Sequence, residues 1–321
     1  LHQILIKVRR YLSDVAEGNT KPIDGELLED FEAKCYLAAH KHLVEPREDK
    51  FRLRMSNVGK PSCQLQLEKA GIKGETSLPW NVMRNTYGDL TEALAVLIMK
   101  QAGVNITSEQ GEVELLVEGK PIRGTYDLVI DEGGPKVWDV KSASGWSFKN
   151  KFKDFDTVFK DDHFGYVCQG FGYAEALQIP FGGWIVVNKE DGEWAVVEVP
   201  NSDAVRREAL ERIRKNVSLV SGEAEFQKSF SDVEETWRRR PTGNRVLTAP
   251  CIFCPYKNTC WDNLEYRAQL PSESQSPKHY FYTHIDEKWR NGKTKETNSG
   301  RMASSESRDT SNSSEEVQST A

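Results

Sequence analysis

Gly124-Thr125-Tyr126-Asp127-Leu128-Val129-Ile130, followed across a short turn by Val137-Trp138-Asp139-Val140-Lys141, is the stretch that decides the fold. Both runs read as strands, and residues two apart on a strand share a face. Asp139 and Lys141 therefore point one way, and Trp138 and Val140 point the other. If the Gly133-Gly134-Pro135 turn closes a hairpin, Asp127 lies on the neighbouring strand and two carboxylates and an ammonium converge. Oxygen ligands of that kind suit Mg²⁺ or Mn²⁺, and a metal beside a lysine can activate water against a phosphodiester. A surface strand carrying salt-bridged charges accounts for these residues equally well, since exposed charge pairs are common.

Outward from that hairpin the chain alternates helix and strand. Apolar residues at Leu27, Leu28, Phe31, Cys35 and Ala38 predict helix within residues 1–48, and residues 80–102 form a second strong helix. From 112 to 142 the period shifts to two, with turns at Gly119-Lys120-Pro121 and at the glycine pair, predicting a three-stranded meander. A helix is expected over 161–178, strands over 183–188 and 194–199 joined at Asp191-Gly192, and a charged helix over 203–219. The fold class is α/β: a mixed central sheet flanked by helices. Three units follow: an N-terminal helical extension over 1–55, a core with a cysteine cluster over 56–267, and a polar tail over 268–321. The tail is expected to be disordered and dispensable, because it holds too few apolar side chains to offset its ordering entropy; the competing reading is that its one aromatic cluster, Tyr280-Phe281-Tyr282, docks on the core or on a partner.

The net charge of −6 argues against a passive nucleic-acid coat, whose affinity rests on phosphate neutralisation. Local basic tracks exist at Lys149, Lys151 and Lys153, along 206–215, and at Arg238-Arg239-Arg240. Trp146, Phe148, Phe152 and Phe155 interleave the first track and could stack on bases or face the core. No apolar run is long enough to span a bilayer and no signal peptide is visible, so a cytoplasmic protein without membrane contact is expected.

Further candidates lie outside the hairpin. Glu92 has Gly88, Ala95, Val96 and Met99 at helical spacing, apolar company that is costly for a carboxylate unless it is paired or metal-bound. Gln169 and Tyr173, four apart, share one helix face. Gly170 and Gly172 between and beside them lower helicity by roughly 1 kcal/mol each, so close packing or ligand approach is expected there. Cys251-x2-Cys254-x5-Cys260 has metal-ligand spacing and needs a fourth thiol, with Cys63 and Cys35 as upstream candidates. Cys168 reads as a buried helix residue and His163 as a surface residue at a helix start. A four-cysteine zinc site is the plainest reading of that set.

Taken in order, the helical Glu92, Asp127, Asp139-Val140-Lys141, Gln169-x3-Tyr173 and the cysteines resemble the PD-(D/E)xK nuclease superfamily over about residues 56–262. The stretch 84–92 resembles the first motif of RecB-like and phage-type members, although the histidine many of them carry in this helix is lacking. The resemblance implies a restriction-endonuclease-like core and a metal-dependent deoxyribonuclease, an exonuclease of recombination, repair or phage DNA processing. Glu92, Asp127, Asp139 and the Val140 carbonyl would hold Mg²⁺ or Mn²⁺, Lys141 would serve the attacking water, and Gln169 and Tyr173 would hold the DNA backbone. One cysteine before the core and three after it resemble the iron–sulfur members of the AddB and AdnB type and the CRISPR-associated RecB-like exonucleases. That implies a [4Fe–4S] cluster on Cys63, Cys251, Cys254 and Cys260, with Zn²⁺ as the alternative. Cys63 is preferred because residues 56–63 resemble the Ser-then-Cys stretch that precedes the core in that group. The expected partners are DNA with free ends and a separate helicase or recombination protein, since no phosphate loop or helicase motif is visible. An endonuclease of the same fold and a non-catalytic nucleic-acid-binding module are the rival readings.

Overall fold

The computed structural model describes residues 2–19, 22–45, 50–222 and 224–290. Four helices come first: α1 (Gln3–Ala16), α2 (Gly25–Leu43), α3 (Ser62–Lys69) and α4 (Trp80–Gln101). The predicted meander follows as β1 (Ile106–Val117), β2 (Lys120–Asp131) and β3 (Pro135–Ala143). Three crossover helices, α5 (Gly145–Asn150), α6 (Phe155–Lys160) and α7 (Tyr166–Leu177), lead to β4 (Phe181–Asn188), β5 (Trp194–Glu198) and α8 (Asp203–Ser221). The remaining elements are β6 (Val233–Trp237), β7 (Arg240–Val246), α9 (Ala249–Ile252), α10 (Lys257–Cys260), β8 (Glu265–Ala268), β9 (His279–His284) and α11 (Glu287–Arg290).

The central sheet has the order β1-β2-β3-β4-β5, antiparallel except for the parallel pair β3–β4. A parallel pair needs a long crossover, and α5 to α7 supply it. The glycine turn closes the β2–β3 hairpin as expected, with Asp131 opposite Pro135 and the Gly134 N–H donating to Asp131 Oδ1 at 2.8 Å. One face of the sheet packs Val137, Trp184 and Val186 against Phe155 and Phe171. The other packs Trp138, Val140 and Ile185 against Val96 and Met99 of α4 and Ile4 and Val8 of α1. The helical region at the N-terminus is thus partly core: Ile4, Leu5 and Val8 are buried, each contributing roughly 1.5–3 kcal/mol. Only α2 behaves as the appended helix expected of 1–55, with Tyr36, Leu37 and Leu43 exposed.

α7 lies across the sheet, and its glycines have the packing role expected of them. A Cβ at Gly170 would collide with the Phe181 ring, and one at Gly172 with Met55 Sδ. Of the interleaved aromatics, Phe148, Phe152 and Phe155 are buried and belong to the core, while Trp146 is 69% exposed.

The boundary at residue 268 is corrected by a second antiparallel sheet, β6-β7-β9-β8. β9 falls inside the expected tail, pairs with both β7 and β8, and buries Tyr282 beside Val246 and Ile285. The Tyr282 hydroxyl donates to the buried Glu235 carboxylate at 2.9 Å, which also accepts from Thr242 Oγ1 and Asn244 Nδ2. The aromatic cluster Tyr280-Phe281-Tyr282 forms this strand, held largely by the buried Tyr282 and its bond to an acid. The tail from 291 to 321 lies outside the described residues. Truncation after residue 290 is expected to leave thermal stability unchanged, whereas truncation after 270 deprives Glu235 of a donor, about 1–3 kcal/mol, and removes the strand joining β7 to β8. Proteolysis between 224 and 268 in the shorter chain alone is the expected readout.

Candidate active site

The acids and the lysine gather where β2 and β3 part. Their ladder ends at Leu128 opposite Trp138; beyond it the Val140 N–H, pointing towards β2, donates to Asp127 Oδ2 at 2.8 Å. A side chain thus replaces the missing backbone partner and ties the two strands across the gap. Asp139 is 3% exposed, with Oδ2 2.5 Å from Lys141 Nζ and Oδ1 without a hydrogen-bond partner among the described residues. Glu92 enters from α4 and accepts from the Gln110 side-chain amide. Gln110 has a positive φ of 49° in β1, a local twist that turns its side chain towards α4.

The four groups feel one another's charge. Burial raises the Glu92 carboxyl to about 7, with Lys141 opposing and Asp139 adding to the rise. Asp127 is pushed well above the carboxylate range by burial and then by Asp139 and Glu92. Burial alone would lower the Lys141 ammonium; Asp139 and Asp127 outweigh it and leave it raised. Three carboxyls around one ammonium carry excess negative charge in a low-dielectric setting, so one further cation would relieve them. Among the described residues no group of three or more His, Cys, Asp or Glu side chains is preassembled to hold a metal ion. The oxygens instead turn to separate partners: Asp139 to Lys141 as an ion pair, Asp127 to the Val140 N–H and Glu92 to the Gln110 amide.

α7 supplies the other wall. Gln169 Nε2 lies 3.3 Å from the Tyr173 hydroxyl. Tyr173 is 2% exposed and its hydroxyl is raised to about 12, by burial first. Gln169 is the more exposed member of the pair, and its side-chain amide donates to the buried Tyr173 hydroxyl. Two neighbours escaped the sequence reading. Tyr166 packs its ring 5.3 Å from Lys141 Nζ, and Lys151 Nζ lies 4.6 Å from the same ring, buried and without a hydrogen bond among the described residues. Tyr166 was detectable, since it shares a helix face with Gln169 and Tyr173 at i+3 and i+7. Lys151 carried no such periodic cue.

A recess of about 560 Å³ leads to Glu92 and Asp127 between α2, α4 and β1. Ion pairs of Lys41 with Asp89 and Lys34 with Glu109 hold α2 over it, and His42 Nε2 lies 3.0 Å from the Asp89 carboxylate.

Apart from the acids, Cys63, Cys251, Cys254 and Cys260 form a loose nest, near enough to influence one another, though among the described residues they too are not preassembled as a metal-ligating group. Burial raises Cys254 to about 11, with Cys63, Cys260 and Cys251 adding to the rise. Cys251 and Cys260 are likewise raised by burial and then by Cys63. Cys63 is thus the upstream thiol brought to the other three. Cys35 stands on α2, raised by burial alone, and Cys168 is buried with Sγ 3.6 Å from the Ala209 carbonyl. The cysteine loop is stapled to the upstream chain by the Glu75 N–H on the Pro255 carbonyl at 2.8 Å and by Lys257 on the Glu75 carboxylate.

No family model matches the sequence, and no curated protein matches it. Among solved structures the chain is similar to one described as "Crystal structure of SSO0001", at 13% identity over 71% of this chain and 95% of that one, with a TM-score of 0.38. A likeness at that level carries no argument about the site. No helix among the described residues is long and apolar enough to cross a membrane.

The raised Glu92 makes a stability prediction. An acid whose folded pKa lies above its unfolded value binds protons better when folded, so its contribution is lost as pH rises from about 4.5 to 7. In EDTA, Glu92→Gln is therefore expected to stabilise the protein at pH 8 by the order of 1–3 kcal/mol. The gain should shrink as pH falls through 7 and vanish only below the unfolded value of 4.5, read as the difference between mutant and wild-type melting curves. Destabilisation at pH 8 would mean that Glu92 is ionised and paired.

Proposed function

We propose that this chain is a metal-dependent deoxyribonuclease of the PD-(D/E)xK type, working from free DNA ends. The observation that carries the reading is the convergence of Glu92, Asp127 and Asp139 on Lys141, with Asp139 Oδ1 buried and unpartnered among the described residues. Hard carboxylate oxygens are the donors Mg²⁺ and Mn²⁺ select, and a cation would offset the effect of burial and, after it, the mutual repulsion that raise Glu92 and Asp127. Glu92, Asp127, Asp139 and the Val140 carbonyl would hold it. Bound there, a divalent cation supplies Lewis-acid charge to a phosphodiester and lowers the pKa of water.

The protein's own groups do the rest. Lys141, held protonated by two carboxylates, orients the attacking water through its N–H bonds and stabilises charge building on the phosphate. Gln169, braced by Tyr173, supplies an amide donor to a neighbouring phosphate. α2 narrows the approach to the acids, which favours a strand fed in from an end over continuous duplex. The deciding experiment is a digestion time course on end-labelled linear and closed circular DNA, with and without Mn²⁺. Shortening of linear DNA alone is expected; linearised circles would indicate an endonuclease, and intact DNA throughout would overturn the reading.

The thiol nest suits a soft metal centre, a [4Fe–4S] cluster or zinc. It lies apart from the acids and would brace the segments on either side of the core.

A further inference from the structure

A second cavity, of about 580 Å³, lies outside the acid–lysine site, between the α3 start, the loop before α7, α8 and the segment 224–230. In a chain of net charge −6 its lining is basic, with Lys60, Lys160, Arg212, Lys215 and Lys228 against Asp161, Asp162 and Glu225. Several of these charges are spent on structure. Lys60 pairs with Glu68, Lys228 covers the Trp261 ring, and Asp162 caps α7 through the Tyr166 and Val167 N–H groups. Lys160 and Lys215 have no ion-pair or hydrogen-bond partner among the described residues and are exposed at the rim. His163, with Nδ1 3.1 Å from Asp161, keeps a buried Nε2 that also lacks a partner among them.

The walls are fixed. Arg212 Nη2 donates to the Gly59 carbonyl at 2.5 Å and to the Asp162 carbonyl at 3.0 Å. Asn216 Nδ2 donates to the Val58 carbonyl at 2.6 Å and the Lys60 carbonyl at 3.0 Å, and its Oδ1 accepts from Ser62 Oγ at 2.8 Å. Ser229 Oγ accepts from the Cys63 N–H, so the thiol nest forms part of the same frame. Unpartnered ammonium groups at the rim of a braced cavity are poised for phosphates, because neither gives up a protein partner on binding. The loop from 161 to 166 joins this cavity to the acids, offering Asp161 and His163 here and Tyr166 beside Lys141.

We infer that this cavity is a metal-independent anchor for the phosphate backbone of a nucleic-acid strand, with Lys160 and Lys215 as its phosphate-binding groups. It deepens the nuclease reading, yet its test does not depend on cutting. The probe is a fluorescent oligothymidylate, titrated by anisotropy in EDTA over a range of KCl. Lys160→Glu/Lys215→Glu is expected to weaken binding about tenfold or more, and to flatten the salt dependence by about 1.4 in log–log slope, about 0.7 for each single-strand phosphate no longer neutralised. Lys160→Gln/Lys215→Gln should flatten the slope equally with a smaller drop in affinity. Arg207→Glu/Arg214→Glu, the same charge change on exposed positions of α8 outside the cavity, should do far less. Equal weakening in the two charge-reversed pairs would reduce the effect to net charge and overturn the anchor, as would an unchanged slope. Displacement of the strand by thymidine monophosphate at equal phosphate concentration would also overturn it, making the cavity a mononucleotide pocket. If the anchor holds while no variant ever cuts DNA, the nuclease reading fails and the anchor stands.

Discussion

Asp139→Ala should lower metal-dependent cleavage of linear DNA by about a thousandfold or more, while the protein becomes no less stable in EDTA. Loss of activity has two sources. The side chain is a proposed cation ligand, and it fixes Lys141 Nζ at 2.5 Å, so both the Lewis acid and the group serving the water are disturbed. Placed acid–base and charge-stabilising groups are each worth roughly 10²–10⁴ in rate. Stability moves the other way because Asp139 raises both Asp127 and Glu92, and removing it relieves like charges in a buried setting. Lys141→Ala gives the contrast: a comparable loss of cutting, but with destabilisation, since the ammonium that opposes three carboxyls is gone. A structural ion pair would show matched destabilisation in both variants and no special loss of rate. Undiminished cutting by Asp139→Ala in Mg²⁺ would falsify the assignment.

The parts of this site that were legible in the sequence are those fixed by local periodicity. The alternation in 137–141 places Asp139 and Lys141 on one face, and the glycine turn closes the hairpin that brings Asp127 alongside. Gln169 and Tyr173 share a face by the helical repeat, and their place after the Asp139-Val140-Lys141 strand is what singled them out. What could not be read depends on long-range geometry. Gln110 reaches Glu92 because β1 twists at a positive φ, and nothing in the residues around it marks that conformation. Lys151 looked like one cation of a surface track, yet it is buried against the Phe164 and Tyr166 rings. The misplaced boundary at 268 has the same origin. β9 holds its place through Tyr282 and a distant Glu235, and a window of composition sees the polar residues around it and not that bond.

The second large effect is expected at the thiols. Anaerobically purified protein should be brown and hold about four iron and four sulfide per chain. Cys63→Ser or Cys254→Ser should bleach it, and Cys35→Ser should not. The physical basis is the nest itself. Cys251, Cys254 and Cys260 are all raised by burial first, Cys254 to about 11 with its neighbouring thiols adding to the rise, so without a metal centre these three bring no charge to hold their segments together. Thiolate ligation reverses that and couples binding to folding. Because Cys63 opens α3 and the others close the 251–260 loop, one centre there ties the chain before the sheet to the chain after it. Loss of the centre should therefore also loosen the Cys63–Ser229 and Glu75–Pro255 hydrogen bonds, read as faster amide exchange at 59–75 and 249–261, with β3 and β4 unaffected. A colourless protein holding one zinc would replace the cluster with a four-cysteine zinc site while leaving the staple intact. Retention of metal by Cys63→Ser together with its loss in Cys35→Ser would contradict the nest, because Cys35 stands on α2 and is raised by burial alone, with no thiol contributing.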